Sequence, residues 1–316
     1  MIKNDERGIA LLFVLLVLSL LVTLILGFDA DARRELKEAA AFRDGLKAAT
    51  LARAGVQAAR ATLRHDALLD VQSGRSFDAL TEVWAIPITG RPVGDGAVSA
   101  SIADERGKLN LNDLSAGSQS AKSRAAMMLR FKRLFLLVQV DPQLVDAIAD
   151  WVDPDESPEP NGAESAYYES LKPPYRAANA PLQTLDELHL IKGITDAAIE
   201  RLARYVTVYP IIPDGWINLN TADPLVIQVL DPRITPAMAL EVMQGRPYRT
   251  LQDLDRAASF ESIAKELRLA GGYAVRSDHF SVRITASINE VTKHANVVLR
   301  RSGTTGDTKL LHFHLE

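Results

Sequence analysis

The longest feature of the hydrophobic pattern lies at the N-terminus. From Ile9 to Phe28 every residue is apolar or small, and only Ser19 and Thr23 carry hydroxyls. A run of about twenty such residues matches the ~30 Å of a bilayer's hydrocarbon core. The pattern then changes character without a break. Leu36, Ala39, Ala40, Leu46, Leu51, Ala54 and Ala58 recur at helical spacing among Arg, Lys and Glu, all good helix formers. The spacing predicts one helix from Ile9 to about Leu63, roughly 80 Å at 1.5 Å per residue. Such a stalk suits a filament subunit or a coiled coil better than a compact enzyme. Three readings of the apolar third stay open on residues alone: a membrane span, a signal anchor and a secretory signal peptide. Gly27-Phe28-Asp29-Ala30 is a poor small-x-small cleavage site, which weighs against the last.

Beyond the stalk the pattern alternates and then turns helical. Residues 70–82 are polar and predict a loop. Glu82–Ile86 and Ala97–Ile102 predict strands, with the turn-rich stretch Thr89–Gly96 between them. Residues 115–270 predict short helices, at Ala121–Leu137, Pro142–Val152, Leu182–Leu190, Asp196–Val206, Asp223–Leu230, Pro236–Met243, Leu251–Ala258 and Ser262–Leu269. At the C-terminus His279–Ile288 alternates cleanly, and Val291–Arg301 and Lys309–Leu315 predict two further strands.

Composition narrows the chemistry. A net charge of −4, from 36 basic and 40 acidic residues, gives no general case for nucleic acid or an anionic surface as partner. The absence of cysteine excludes disulfides, thiolate zinc sites and a cysteine nucleophile. No phosphate-cradling glycine loop or nucleophile motif is present. Of the histidines only His312 and His314 are close, on one face of a strand, where surface residues are commoner than metal ligands.

One segment departs sharply from this balance. Between Leu134 and Leu171 there is no Lys or Arg, while nine acids occur, from Asp141 to Glu169. Crowded like charges call for solvated mobility or a cation. Asp153, Asp155, Ser157, Glu159, Asn161 and Glu164 carry oxygens at relative positions 1, 3, 5, 7, 9 and 12, the ligand spacing of an EF-hand loop. Pro158 stands where that loop needs glycine and cannot take a positive φ, so the EF-hand turn itself is excluded. An irregular calcium loop and an acidic, proline-rich surface loop both remain open.

Leu185–Thr195 and Ile217–Ala222 carry the pattern of paired helix-hairpin-helix elements. The first hairpin has Thr195 in place of its second glycine. The second contains Pro232, which removes an N–H donor, and no basic cluster surrounds either. A membrane-anchored DNA-binding or DNA-uptake protein is therefore the alternative reading, and a membrane-anchored calcium enzyme a more distant one.

Several of these stretches together resemble a known family. A short charged leader ending at Gly8, then Ile9 and a long apolar helix, is similar to the type IV prepilins and type II secretion pseudopilins. That resemblance implies cleavage by prepilin peptidase between Gly8 and Ile9, with N-methylation of Ile9. Most members carry Glu at the fifth mature position, where it neutralises a neighbour's terminal amine. Here the position is Phe13, which resembles the K-type minor pseudopilin, proposed to sit at the pseudopilus tip with no subunit above it. Asp150-Trp151-Val152-Asp153, Gly162-Ala163-Glu164, Tyr167-Tyr168 and Pro173–Asn179 also resemble that family. It implies bound structural calcium, with Asp153, Asp155 and Glu164 as the foremost candidate ligands and Asp150, Glu159 and Asn161 behind them. It implies an α+β, pilin-like fold with a large inserted all-α domain. The segments would be leader 1–8, membrane helix 9–28, stalk 29–66, head 67–112 with 275–316, and insert 113–274. It further implies a single-pass protein of the bacterial inner membrane with a periplasmic head. Implied partners are the I- and J-type minor pseudopilins, the major pseudopilin, prepilin peptidase, and the secretin or secreted cargo, without nucleic acid.

Overall fold

The computed structural model describes residues 6–115, 121–255, 261, 263, 266–267 and 272–316. Residues 1–5 of the expected leader and most of the helix expected at 262–269 lie outside these. A single helix, α1, runs from Glu6 to Ser73, about 100 Å at the standard rise per residue. It continues past the expected end near residue 66. Asp66, Ala67 and Asp70 keep the buried face going, and the helix stops only at Gly74, whose φ of +64° ends it.

The second half of α1 lies on an antiparallel sheet ordered β1-β2-β7-β8-β9. The strands are β1 (Ile88–Val93), β2 (Gly96–Asp104), β7 (His279–Ile288), β8 (Val291–Arg301) and β9 (Thr308–Leu315). Ala52, Val56, Ala59 and Leu63 recur every three or four residues and face Phe280, Val282, Ile284, Val297 and Leu299. Small residues on this face allow close approach. At Gly55 a β-carbon would meet the Ile284 side chain at 2.8 Å.

Two local expectations fail in the head. Glu82–Ile86 is not a strand; Val83–Ala85 form a 3-10 turn. One carboxylate oxygen of Glu82 accepts the Ala79 N–H (3.1 Å) and the Trp84 ring N–H (2.9 Å), which curls the segment and drives Trp84 into the core. The stretch expected as a turn instead contains β1, which reverses tightly at Gly94-Asp95 into β2. Pro92 is accommodated because β1 is the sheet's edge, where a missing N–H costs little.

β2 and β7 are neighbours in the sheet, and the helical block lies between them in the chain. It is built from two similar halves. Each opens with a short strand and a pair of buried asparagines: Leu109-Asn110-Leu111-Asn112, and Ile217-Asn218-Leu219-Asn220. β3 (Leu109–Asn110) pairs in parallel with β4 (Val206–Thr207), and β5 (Ile217–Asn218) with β6 (Tyr273–Ala274). In the first half Asn112 donates to the Leu182 and Val208 carbonyls and accepts from the Leu182 N–H. In the second Asn220 donates to the Tyr248 and Val275 carbonyls and accepts from the Tyr248 N–H. Each amide thus ties its strand to a Pro-x-x-Thr-Leu-x-x-Leu segment, 181–188 or 247–254. A buried amide left unbonded would cost about 1–3 kcal/mol, so these pairs hold the halves in register.

Candidate functional site

The acidic loop is positioned by two helices. α2 (Ala121–Leu137) and α3 (Leu144–Val152) pack through Phe131, Leu134, Phe135, Val145, Ile148 and Val152. One face of α3 carries Asp146 and Asp150, and Asp153 closes its C-terminus. The loop returns to α4 (Ser165–Glu169), with Glu164 at the cap position before it.

The acids of this loop have different surroundings. Asp146 receives Lys132 Nζ at 2.6 Å and the Asn161 side-chain amide at 2.9 Å. Asp150 accepts the Glu159 N–H with both oxygens, at 3.0 and 3.2 Å. A β-carbon on Gly162 would collide with the Asp150 carboxylate, so only glycine lets the loop fold over α3 here. Lys192 Nζ donates to the Gly162 carbonyl at 2.9 Å and pins the same turn. Burial, reinforced by Asp153 and Glu159, pushes Asp150 up to about 6.

Three carboxylates converge beside this anchor. Oxygens of Asp153, Asp155 and Glu164 lie within 4.8 Å of one another. Asp153 and Glu164 are buried and Asp155 is exposed. Arg124 approaches Asp153 at 2.8 Å and Glu159 at 3.1 Å. The other oxygen of Asp153 and both oxygens of Glu164 are buried without a hydrogen-bond partner. Burial first, then the charges of Asp150, Asp153, Glu156 and Asp155, push Glu164 up to about 7. Buried carboxylate oxygens that face one another with no donor suit a hard cation with oxygen ligands. The donor set therefore fits calcium.

Of the six candidate ligands the structure brings Asp153, Asp155 and Glu164 together. It turns Asn161 toward Asp146, holds Asp150 on the backbone of the loop, and pairs Glu159 with Arg124. The EF-hand spacing is thus not the arrangement of the loop. Two residues that spacing did not single out also belong here. Glu156 accepts from the Ser165 N–H and hydroxyl. Asn179, at a φ of +44°, donates to the Asp155 carbonyl and to Glu156, leaving its own oxygen buried without a partner. An asparagine held at positive φ was the signal available in the sequence, but φ itself is not legible there. The deficit of cations in this segment is met in part from outside it, by Lys132, Arg124 and Arg176.

The second functional element is the free part of α1. Its best window has a mean hydropathy of 3.1 and none of it is buried. Leu11, Leu12, Phe13, Leu16, Ile25 and Phe28 are all exposed, Phe13 at 69%. Length and composition suffice to cross a membrane. Gly8 and Ile9 lie in the first turns of the helix.

Several polar residues of the hairpins serve the fold itself. Thr195 and Thr235 act as helix caps, accepting the Ala198 and Met238 N–H groups for α5 (Asp196–Leu202) and α6 (Pro236–Gln244). Arg233 is held by Asp231 and Glu266, and Arg204 by Asp223.

Comparison with known proteins agrees with this geometry and gives no support to DNA uptake. Two family models described as Type II secretion system (T2SS), protein K match residues 107–211 and 217–281, the two halves of the helical block. The Type II secretion system protein K of Klebsiella pneumoniae is 28% identical over 96% of this chain and 95% of its own length. That of Pseudomonas aeruginosa is 29% identical over 91% and 86%. The Putative type II secretion system protein K of Escherichia coli K12 is 30% identical over 78% and 76%. The fold is similar to a chain in the crystal structure of the GspK-GspI-GspJ complex from the enterotoxigenic Escherichia coli Type 2 Secretion System. The TM-score is 0.72 at 19% identity, covering 90% of this chain and 99% of that one. The family models alone span more than half of the sequence, and on that ground the chain belongs to the type II secretion system protein K family and is a minor pseudopilin of that system.

Proposed function

We propose that the protein sits at the tip of the pseudopilus and starts its assembly, with a role in packing and none in catalysis. The observation that carries this reading is the free third of α1. An apolar helix exposed on every side needs lipid first and other helices afterwards. In this reading the chain is anchored once in the inner membrane with its head in the periplasm. Prepilin peptidase cuts between Gly8 and Ile9, and Ile9 is then methylated. Phe13, with no carboxylate to offer a neighbour's amine, ends the stack. The I- and J-type minor pseudopilins are the first partners, as the composition of the neighbour's complex suggests, and the major pseudopilin extends the filament below. The bulky helical block would then face the secretin or the secreted cargo.

Calcium completes the head. Asp153, Asp155 and Glu164 would hold the ion, which supplies positive charge that the unpartnered oxygens otherwise lack. The chain's own residues do the positioning: α3 presents Asp153, and the Asp150–Gly162 contact sets the loop that returns Glu164.

Co-expression with prepilin peptidase and the other pseudopilins tests the assembly reading. The wild-type chain is expected to lose its leader, as read by intact mass, and to co-purify with I- and J-type subunits. Gly8→Leu is expected to keep the leader. A processed Gly8→Leu chain, or a wild type that recovers no pseudopilin, overturns it.

A further inference from the structure

We infer that a cleft where the stalk meets the helical block is a binding site for an extended peptide segment rich in carboxylates. The inference goes beyond the assembly reading and does not need it, because it concerns only this chain and its ligand.

The cleft has a volume of about 770 Å³ and lies between the last turns of α1, the turn joining β8 to β9, and Trp216 of the helical block. That is the size of a ligand-binding cleft, and a bare inorganic anion would leave most of it to water. Trp216 forms one side, with the Arg106 guanidinium 3.7 Å over its ring.

The charges lining the cleft do not balance. Three of its four acids are already held. Asp78 pairs with Arg301, Asp70 with Arg75 at 3.2 Å, and Asp278 with Arg106 and His279, each at 2.7 Å. The fourth, Asp307, is the most exposed and approaches only Arg64, at 4.0 Å. Against it stand three cations. Arg276 and Lys309 are exposed and make no ion pair among the described residues. Arg300 comes only within 3.9 Å of Asp278, whose charge is already met.

Strand pairing adds to the imbalance. Arg300 and Lys309 are direct cross-strand partners in β8 and β9. Like charges opposite one another on neighbouring strands destabilise a sheet. The fold thus keeps a repulsive pair at a cleft that also holds the unpaired Arg276. Carboxylates brought into the cleft remove that repulsion, and an arginine fork binds a carboxylate with two parallel hydrogen bonds. A lipid headgroup does not reach the site. Ala67, Asp70 and Val71 border the cleft, roughly 60 Å along α1 from Phe28, where the apolar run ends. The fitting ligand is therefore a run of acidic side chains on a protein.

The full-length protein in detergent micelles is titrated against a fluorescein-labelled oligoglutamate peptide and followed by anisotropy. Saturable binding is expected, weakening as salt rises. The glutamine counterpart of the peptide is expected not to bind. Arg276→Gln and Lys309→Gln are each expected to weaken binding about tenfold, the worth of one charge-assisted hydrogen bond. Neither variant is expected to lower the melting temperature, since neither cation holds a carboxylate of the chain. A benzophenone on the peptide is expected to label residues of the cleft, as read by peptide mass mapping. Equal binding of the glutamine peptide, unchanged affinity in both variants, a melting temperature lowered by either, or labelling elsewhere overturns the site. Full displacement by inorganic phosphate or by oligothymidylate at matched ionic strength overturns the peptide as its ligand. None of these outcomes touches the assembly reading, which is judged by leader cleavage and co-purification.

Discussion

Two acidic clusters, one where the stalk meets the sheet and one in the helical block, are built from similar parts and are neutralised differently. In one, oxygens of Asp66, Asp78 and Glu82 lie within 4.8 Å of one another at the junction of α1, the 3-10 turn and β8. In the other, Asp153, Asp155 and Glu164 do the same. The first has a cation supplied by the chain. Arg301 is almost fully buried, reaches Asp66 at 2.8 Å, pairs with Asp78 as well, and stacks over Phe280 at 4.7 Å. The second receives only Arg124, and that guanidinium is shared with Glu159. The other oxygen of Asp153 and both oxygens of Glu164 face no donor. An arginine fork locks an ion pair in one geometry as part of folding, whereas an incomplete oxygen cage leaves the locking to an external ion. The difference teaches which acidic cluster is architecture and which is a candidate for regulation by the medium.

The comparison breaks most visibly at Arg301. Arg301→Met leaves Asp66 and Asp78 buried without a cation and is expected to destabilise the full chain by about 3–5 kcal/mol in denaturant unfolding. A change under ~1 kcal/mol would mean that the first cluster is hydrated and that the contrast is false. The next largest effect concerns the second cluster. Calcium at a hundredfold excess over its dissociation constant is expected to stabilise the protein by about 2.7 kcal/mol relative to chelator. Asp153→Asn with Asp155→Asn should erase that difference. Identical melting curves with calcium and chelator would remove the metal from the loop.

The smallest effect is a pH dependence at Glu82. Burial, opposed by the Trp84 and Ala79 donors and reinforced by Asp66 and Asp78, pushes its carboxyl from 4.5 up to about 7. The folded state then holds this proton more tightly than the unfolded chain. Its contribution to stability is present below pH 4.5 and is lost as pH rises through about 7. Melting temperatures taken across that window should fall with pH in the wild type and fall less in Glu82→Gln. Parallel curves would show that Glu82 does not titrate there.

Much of the fold was legible because it follows from short periods. The apolar alternation of 279–288 and 291–301 has the period of a strand, and both became strands at those limits. Ala121–Leu137 likewise became α2 with its expected bounds. Glu82–Ile86 also has the look of a strand, yet the Glu82 carboxylate accepts the Ala79 N–H and the Trp84 ring N–H, and the segment curls into a turn. The site was half legible. A surplus of acids without cations can be counted along the chain, so Asp153, Asp155 and Glu164 were candidates. Their separation from Glu159 and Asn161 was not readable, because it depends on Arg124 and Asp146, which approach from α2 and α3. The two helical halves share short motifs that can be read in the sequence, and the identical hydrogen bonds of Asn112 and Asn220 show what those motifs do.

By itself the sequence determined the membrane-length helix, the glycine before Ile9, the apolar residue at Phe13 and the composition of the acidic loop. These depend on local residue identity and on periods of two or 3.6 residues, which no distant contact can change. The tertiary structure alone decided which acids meet and which of them receive an arginine. Those outcomes require Arg301 to reach residues 66 and 78, and Arg124 to reach 153, across long stretches of chain. Charge neutralisation is set by distance in space, and burial makes it decisive.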